Sequence, residues 1–319
     1  MKTIAVLTSG GDAPGMNAAI RAVVRTAVSL GLKVKGIKHG YDGLLKEEII
    51  DLNARSVSDI ISRGGTVLYT SRSKEFKTDE GVKKAAEICK KHGIEGIVTI
   101  GGDGTFMGAK CLSEQGIPCV GVPATIDNDI ASTEYTIGFD TALNTAAEMI
   151  DKIRDTSQSH DRCSVVEVMG HKAGYMALQI AIAVGAVDVL VPELPVDLKA
   201  IIEHIKTVRK SGKSHFIVVV AEGVGDSHEI ARIIELETGL ESRATVLGHV
   251  QRGGSPTVRD RVRATQMGSA AVHLLNKDIG NRVISYKQGK IVDFDIFEAH
   301  EMTKTFDDGM VELAKETAI

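Results

Sequence analysis

Short apolar runs that stop at glycine alternate along this chain with longer stretches whose apolar residues recur at helical spacing. Ile4–Leu7, Val34–Ile37, Ile97–Ile100, Cys119–Val122, Ser164–Met169, Val189–Val191 and Phe216–Ala221 read as strands. Asn17–Leu30, the stretch from Thr78 to His92, Phe106–Glu114, Lys172–Val184, Leu198–Lys210, His228–Leu236 and Val258–Leu275 read as helices, and Ala142, Ala146, Met149, Ile150 and Ile153 repeat on one helical face. Thr78 is a candidate N-cap, with Asp79 and Glu80 in the first turn behind it. Val283–Tyr286 and Ile291–Phe294 look like late strands joined at Gln288-Gly289. This alternation predicts an α/β fold of two doubly wound lobes with mostly parallel sheets. A wholly apolar strand such as Phe216–Ala221 suits a parallel sheet covered on both faces.

Length changes the picture little: 319 residues suggest about two domains. No linker or low-complexity stretch separates them, so the lobes are expected to pack closely and exchange chain segments. A net charge of −4 argues against general binding of nucleic acid or membrane surfaces. Cys89, Cys111, Cys119 and Cys163 have no metal-ligand spacing and read as thiols in a reducing compartment. The apolar run at the N-terminus is too short for a signal peptide, and no stretch approaches the ~18 apolar residues of a membrane helix. A cytoplasmic location is therefore expected.

The candidate chemistry lies where strands end. Residues 8–15, residues 101–105 and the turn at Gly170 are Gly-rich and follow strands. Such turns let backbone N–H groups approach a phosphate closely. No G-x-x-x-x-G-K-[ST] occurs, which excludes a P-loop. Asp103 lies among the three glycines of its turn; a carboxylate there repels an anion unless a cation such as Mg²⁺ intervenes, and its plainer reading is a helix cap. Pro123-Ala124-Thr125-Ile126-Asp127-Asn128-Asp129 sets two carboxylates two residues apart. Asp127 suits a proton acceptor beside an attacking hydroxyl, and the alternative is an Asx-turn loop. Arg72, Arg162, Arg243 and Arg252 lie near strand ends or turns, as phosphate ligands or as solvated surface. Glu222 follows the Phe216–Ala221 strand and is a candidate acceptor for a sugar hydroxyl.

Gly10-Gly11-Asp12-Ala13-Pro14-Gly15-Met16-Asn17, Gly101-Gly102-Asp103-Gly104-Thr105, Thr125-Ile126-Asp127-Asn128-Asp129 and Gly248-His249-Val250-Gln251-Arg252-Gly253-Gly254 together resemble bacterial ATP-dependent 6-phosphofructokinases, from Thr3 to about Phe306. The resemblance implies transfer of the ATP γ-phosphoryl group to the 1-hydroxyl of fructose 6-phosphate, with Mg²⁺ as cofactor. It implies a nucleotide lobe of residues 1–138 and 251–301 and a sugar-phosphate lobe of residues 139–250 and 302–319. It makes Asp127 the proton acceptor, with Thr125 and Arg72 at the transferred group, and Asp103 the metal contact. Gly11, Tyr41, Arg72, Ser73, Gly102, Asp103, Gly104, Thr105 and Gly108 would line the nucleotide site. Thr125, Ile126, Asp127, Asp129, Met169, Gly170, His171, Glu222 and Arg252 would hold the sugar. Arg162, Arg243 and His249 would surround its 6-phosphate, the two arginines reaching in from a neighbouring subunit of a homotetramer. An ADP or phosphoenolpyruvate effector site would use Arg21, Arg25, Arg55, Asp59, Arg154, Gly185, Lys213 and His215.

The chain departs from that pattern at several positions. His171 and Lys77 stand where arginine is common, and Ala54, Val187 and Ser211 interrupt the effector pattern. Pyrophosphate-dependent relatives typically carry Asp at the position of Gly104 and Lys at that of Ala124, so the small residues here favour ATP. Another Gly-Gly-Asp-Gly-Thr kinase, such as one for NAD, leaves the 125–129 segment unexplained. A non-catalytic sugar-phosphate sensor would not need both Asp103 and Asp127.

Overall fold

The computed structural model describes residues 1–318. In chain order the elements are β1 (Thr3–Thr8), α1 (Met16–Ser29), β2 (Lys33–Ile37), α2 (Gly40–Leu45), β3 (Ile49–Leu52), α3 (Asp79–Lys91), β4 (Gly96–Gly101), α4 (Asp103–Glu114), β5 (Cys119–Pro123), α5 (Phe139–Ser159), β6 (Cys163–Val168), α6 (Tyr175–Val184), β7 (Asp188–Leu190), α7 (Leu198–Lys210), β8 (Phe216–Ala221), α8 (Ser227–Thr238), β9 (Ser242–Val246), α9 (Val258–Asn276), β10 (Arg282–Lys287), β11 (Lys290–Asp295), α10 (Ile296–Glu301) and α11 (Asp308–Glu316). They form an α/β fold with two sheets, in the orders β11-β10-β5-β4-β1-β2-β3 and β7-β8-β6-β9. No helix among the described residues is long and apolar enough to cross a membrane.

The chain divides into two compact units. One comprises residues 1–126, 130–141 and 252–304; the other comprises, among the described residues, 127–129, 142–251 and 305–318. In the first, β10, β5, β4, β1 and β2 run parallel, while β3 and β11 pair antiparallel at the edges. Every residue of β4 and β5 is buried, and β3 and β11 are more exposed and more polar, as edge strands require. The β10–β11 turn places Gln288 and Gly289 at positive φ, the conformation of a two-residue hairpin loop. Helices α1 and α9 pack closely because Gly268 has no side chain: a Cβ there would lie 2.8 Å from the Ala19 carbonyl. In the second unit all pairings are parallel, and Val165, Ile205, Phe216, Val218 and Ile234 sit in one core.

Thr78 does cap α3, its hydroxyl accepting from Gly81 N at 3.1 Å, and α7 and β8 span the predicted ranges. Elsewhere boundaries differ for local reasons. Helix α4 begins at Asp103 rather than Phe106, with Gly102 in the cap position, which corrects the reading of Asp103 as the cap. Helix α6 starts at Tyr175 rather than Lys172 because a turn closes first, Ala173 N donating to Gly170 O. The periodic stretch after Ala142 belongs to a helix that runs from Phe139 to Ser159. Strand β9 escapes the apolar-run criterion because it is a half-exposed edge strand, SRATV.

Candidate active site

Three motif-bearing turns leave three adjacent parallel strands, β1, β4 and β5, at their carboxyl ends. The first two are tied together: Ser9 N donates to Ile100 O at 3.1 Å, and Thr105 Oγ1 donates to Ser9 O at 3.0 Å. Only glycine fits at position 101, since a Cβ would lie 2.4 Å from Ser9 O. The third is joined to the second by Ala124 N donating to Gly101 O at 3.0 Å, and Thr136 Oγ1 donates to Thr125 O at 2.6 Å. Thr70 Oγ1 donates to Gly10 O at 2.7 Å, which anchors the loop carrying exposed Arg72 and half-buried Ser73.

The nucleotide candidates therefore fall into two groups. Gly11, Arg72, Gly102, Asp103 and Gly104 are at least partly exposed at the turns, and beside Gly104 there is open space. Tyr41 and Thr105 are buried instead and support the turn from behind. The Tyr41 hydroxyl donates to Thr105 O at 2.6 Å, its ring stacks on Phe76, and burial holds its pKa well above the ordinary tyrosine value. A Cβ on Gly108 would meet that ring at 2.5 Å. Gly108→Ala is therefore expected to cost about 1–3 kcal/mol, measured by urea unfolding; an unchanged midpoint would mean that the ring swings aside freely.

Arg252 lies with this group. Its Nη1 donates to Asp12 O at 3.0 Å, and a Cβ on Gly11 would come within 2.5 Å of that nitrogen. Among the described residues, no cluster of three or more His, Cys, Asp or Glu offers a ready-made metal cage. A single exposed carboxylate at a helix N-terminus still fits Mg²⁺, which takes one or two carboxylates and completes its shell with phosphate oxygens and water.

In the second unit, one Glu222 oxygen accepts from Gly170 N at 3.1 Å and His171 N at 2.6 Å, fixing a turn in which both residues have positive φ. Met169 N donates to the buried Gln251 side chain at 2.9 Å. Arg162 and Arg243 are brought together by Glu241, at 2.8 and 2.6 Å, and the pair holds that carboxyl below its ordinary pKa. His249 is exposed in a single 3₁₀ turn, Gly248–Gln251. Asp127 and Asp129 are half-buried on either side of Asn128, which is buried at φ 51°. The Ile126 side chain is fully buried, so only its backbone remains for a ligand.

Of the effector candidates, Arg154 donates to the Val184 carbonyl beside Gly185. Burial first, and then the Arg154 charge, lowers the pKa of both Lys213 and His215, which puts the two groups in the field of Arg154. Arg21 and Arg25 lie one turn apart on α1, and Arg55 and Asp59 are exposed in the loop after β3. Sequence reasoning missed Glu241 and Gln251 as partners of site residues, and Asp260, which accepts from Tyr135, Gly138 and Thr141. Gln251 lay inside a quoted motif, Glu241 lay two residues from Arg243, and nothing marked Asp260.

A phosphofructokinase family profile matches residues 3–275, and the chain belongs to that family. It is 56% identical over 315 residues to the ATP-dependent 6-phosphofructokinase of Clostridium tetani, covering 99% of each chain. Among solved structures, it resembles Pichia pastoris phosphofructokinase in the T-state (TM-score 0.91, 36% identity, 99% of this chain and 37% of that one). It also resembles Saccharomyces cerevisiae phosphofructokinase (TM-score 0.89, 34% identity, 100% of this chain and 48% of that one). The chain thus spans less than half the length of either yeast subunit.

Proposed function

We propose that this chain transfers the γ-phosphoryl group of ATP to the 1-hydroxyl of fructose 6-phosphate, giving fructose 1,6-bisphosphate and ADP in cytoplasmic glycolysis. The observation that carries this reading is that two hydrogen-bonded Gly-rich turns and Thr125 follow the carboxyl ends of three adjacent parallel strands. Ligands collect at that end of an open parallel sheet.

In this reading the sugar O1 forms a bond to the γ-phosphorus, the bond from that phosphorus to the bridging β–γ oxygen breaks, and the O1 proton passes to Asp127. Arg72 and Thr125 donate hydrogen bonds to the transferred oxygens. Exposed backbone around Gly11, Gly102 and Gly104 holds the nucleotide phosphates, and Tyr41, Thr105 and Gly108 keep that turn in shape. Asp103 would hold Mg²⁺, which would supply charge neutralisation for the nucleotide phosphates. Asp129, Met169, Glu222, the Gly170–His171 turn and Arg252 bind the sugar. His249 faces the 6-phosphate with Arg162 and Arg243 from a neighbouring subunit, so the working enzyme is a homotetramer. Residues 1–138 and 251–301 make the nucleotide lobe, residues 139–250 and 302–319 the sugar-phosphate lobe. An anionic effector, ADP or phosphoenolpyruvate, binds at Arg21, Arg25, Arg55, Asp59, Arg154, Gly185, Lys213 and His215.

Two features support ATP over pyrophosphate as donor. The space beside Gly104 is open, and Ala124 is a buried position unsuited to a lysine ammonium. Coupled turnover of fructose 6-phosphate with ATP–Mg²⁺ against pyrophosphate–Mg²⁺ tests this. Turnover with ATP alone is expected. Equal use of pyrophosphate would overturn the choice of donor, and binding of the sugar phosphate without turnover by either donor would mark a sensor.

A further inference from the structure

Asp260, in the first turn of α9, is completely buried, and its carboxylate is filled by donors. Oδ1 accepts from the Tyr135 hydroxyl at 2.5 Å and Gly138 N at 2.7 Å; Oδ2 accepts from Thr141 N at 2.9 Å and Thr141 Oγ1 at 2.5 Å. Burial and the adjacent Asp260 charge push the Tyr135 phenol far above its ordinary pKa, so the phenol stays the donor. A carboxylate is the one side chain of this size that offers two acceptor atoms and no donor.

Each donor belongs to a segment that leads to a candidate site residue. Ile137 pairs with Ala124, and Thr136 Oγ1 holds the Thr125 carbonyl, so the 135–141 segment carries Thr125. The Thr141 hydroxyl also accepts from Thr257 N at 3.0 Å, five residues beyond Arg252. The Arg252 turn is fixed on its other side by Ser255 Oγ donating to Ser62 O at 2.7 Å. The first Gly-rich turn packs on the same segment: a Cβ on Gly15 would lie 2.6 Å from Ile137, and one on Gly138 would lie 2.7 Å from Ala13.

We propose that Asp260 is a positioning residue for phosphoryl transfer, whose buried carboxylate, through the Thr141 hydroxyl, sets the register between Thr125 and Arg252. Asp260 touches no substrate in this scheme; it acts through those two residues, and the proposal rests on the catalytic reading above. An asparagine at 260 turns an NH₂ group toward two donors whichever way its amide faces. Valine at 141 keeps the β-branched shape and removes the hydroxyl that links Asp260 to Thr257.

The test compares wild type, Thr141→Val, Thr141→Ser, Asp260→Asn and Tyr135→Phe by steady-state kinetics, with thermal unfolding and tetramer content measured on the same samples. Thr141→Val and Asp260→Asn are expected to lower kcat/KM for fructose 6-phosphate about 10²-fold, the scale of an ångström of misplacement. Serine at 141 restores most of the loss. Tyr135→Phe deletes one donor, keeps the Thr141 link and shows a smaller loss of the same kind, which covers the case of an Asp260 variant that does not fold. A lowered Tm with kcat and KM at wild-type values would make Asp260 purely structural and overturn the proposal. An inactive wild type would instead overturn the functional reading, so the two failures are distinct.

Discussion

Asp127→Ser is expected to lower kcat by about 10²–10⁴-fold, the usual contribution of a positioned proton acceptor, with little change in KM for ATP. Serine cannot take the proton from the sugar hydroxyl at neutral pH, while binding of the nucleotide relies on other residues. The local backbone sharpens this expectation. An Asx-turn reading of the 125–129 segment gives its Asp and Asn residues a turn-forming job, but the residue that adopts the left-handed conformation is Asn128, buried at φ 51°. The turn is thus built on Asn128, and Asp127 is not needed at positive φ. Steady-state kcat of wild type and variant at saturating substrates checks the assignment. A variant with wild-type kcat would remove Asp127 from the chemistry.

How much of this was legible in the sequence follows from what each residue does locally. The central strands announced themselves because both faces are buried and no polar residue interrupts them; Phe216–Ala221 is the clearest case. Strand β9 was invisible for the opposite reason, since this edge strand is mostly half-buried or exposed and includes Ser242, Arg243 and Thr245. The start of α4 was read three residues late because Gly104 argues for a turn, whereas the hydrogen bond from Thr105 to the Ser9 carbonyl holds that stretch in the first helical turn. The Gly-rich turns were read as places where backbone approaches a phosphate; what the fold itself requires of Gly101 and Gly11 is room for Ser9 O and the Arg252 guanidinium, at 2.4 and 2.5 Å from a would-be Cβ. What the sequence could not state was which polar residues face inward. Tyr41 and Thr105 were read together with exposed residues as nucleotide contacts, yet each spends its hydroxyl on another turn. Asp260 looked like an ordinary acidic residue in a helix's first turn, and only the fold reveals that residues more than a hundred positions earlier fill its carboxylate.

Asp103→Asn carries the other large effect, a loss in kcat of about 10²–10³-fold, the scale of one missing charge-stabilising contact in a phosphoryl-transfer site. The argument is electrostatic. Helix α4 presents its positive end where phosphate would sit, and Gly102 provides the cap. A carboxylate in that position works against anion binding unless a cation lies between them. Removing its charge should therefore act in opposite directions on two measurable quantities. The Mg²⁺ concentration needed for half-maximal turnover rises, because an anionic contact to the metal is gone. Binding of ATP in the presence of a chelator becomes tighter, because a like-charge repulsion is gone. Titration calorimetry with metal-free ATP, beside a turnover series over free Mg²⁺, reads both. A residue that served only the helix dipole would lose about 0.3–1 kcal/mol of stability and leave the Mg²⁺ dependence where it was; that outcome would return Asp103 to a structural role and require the metal contact to be sought elsewhere.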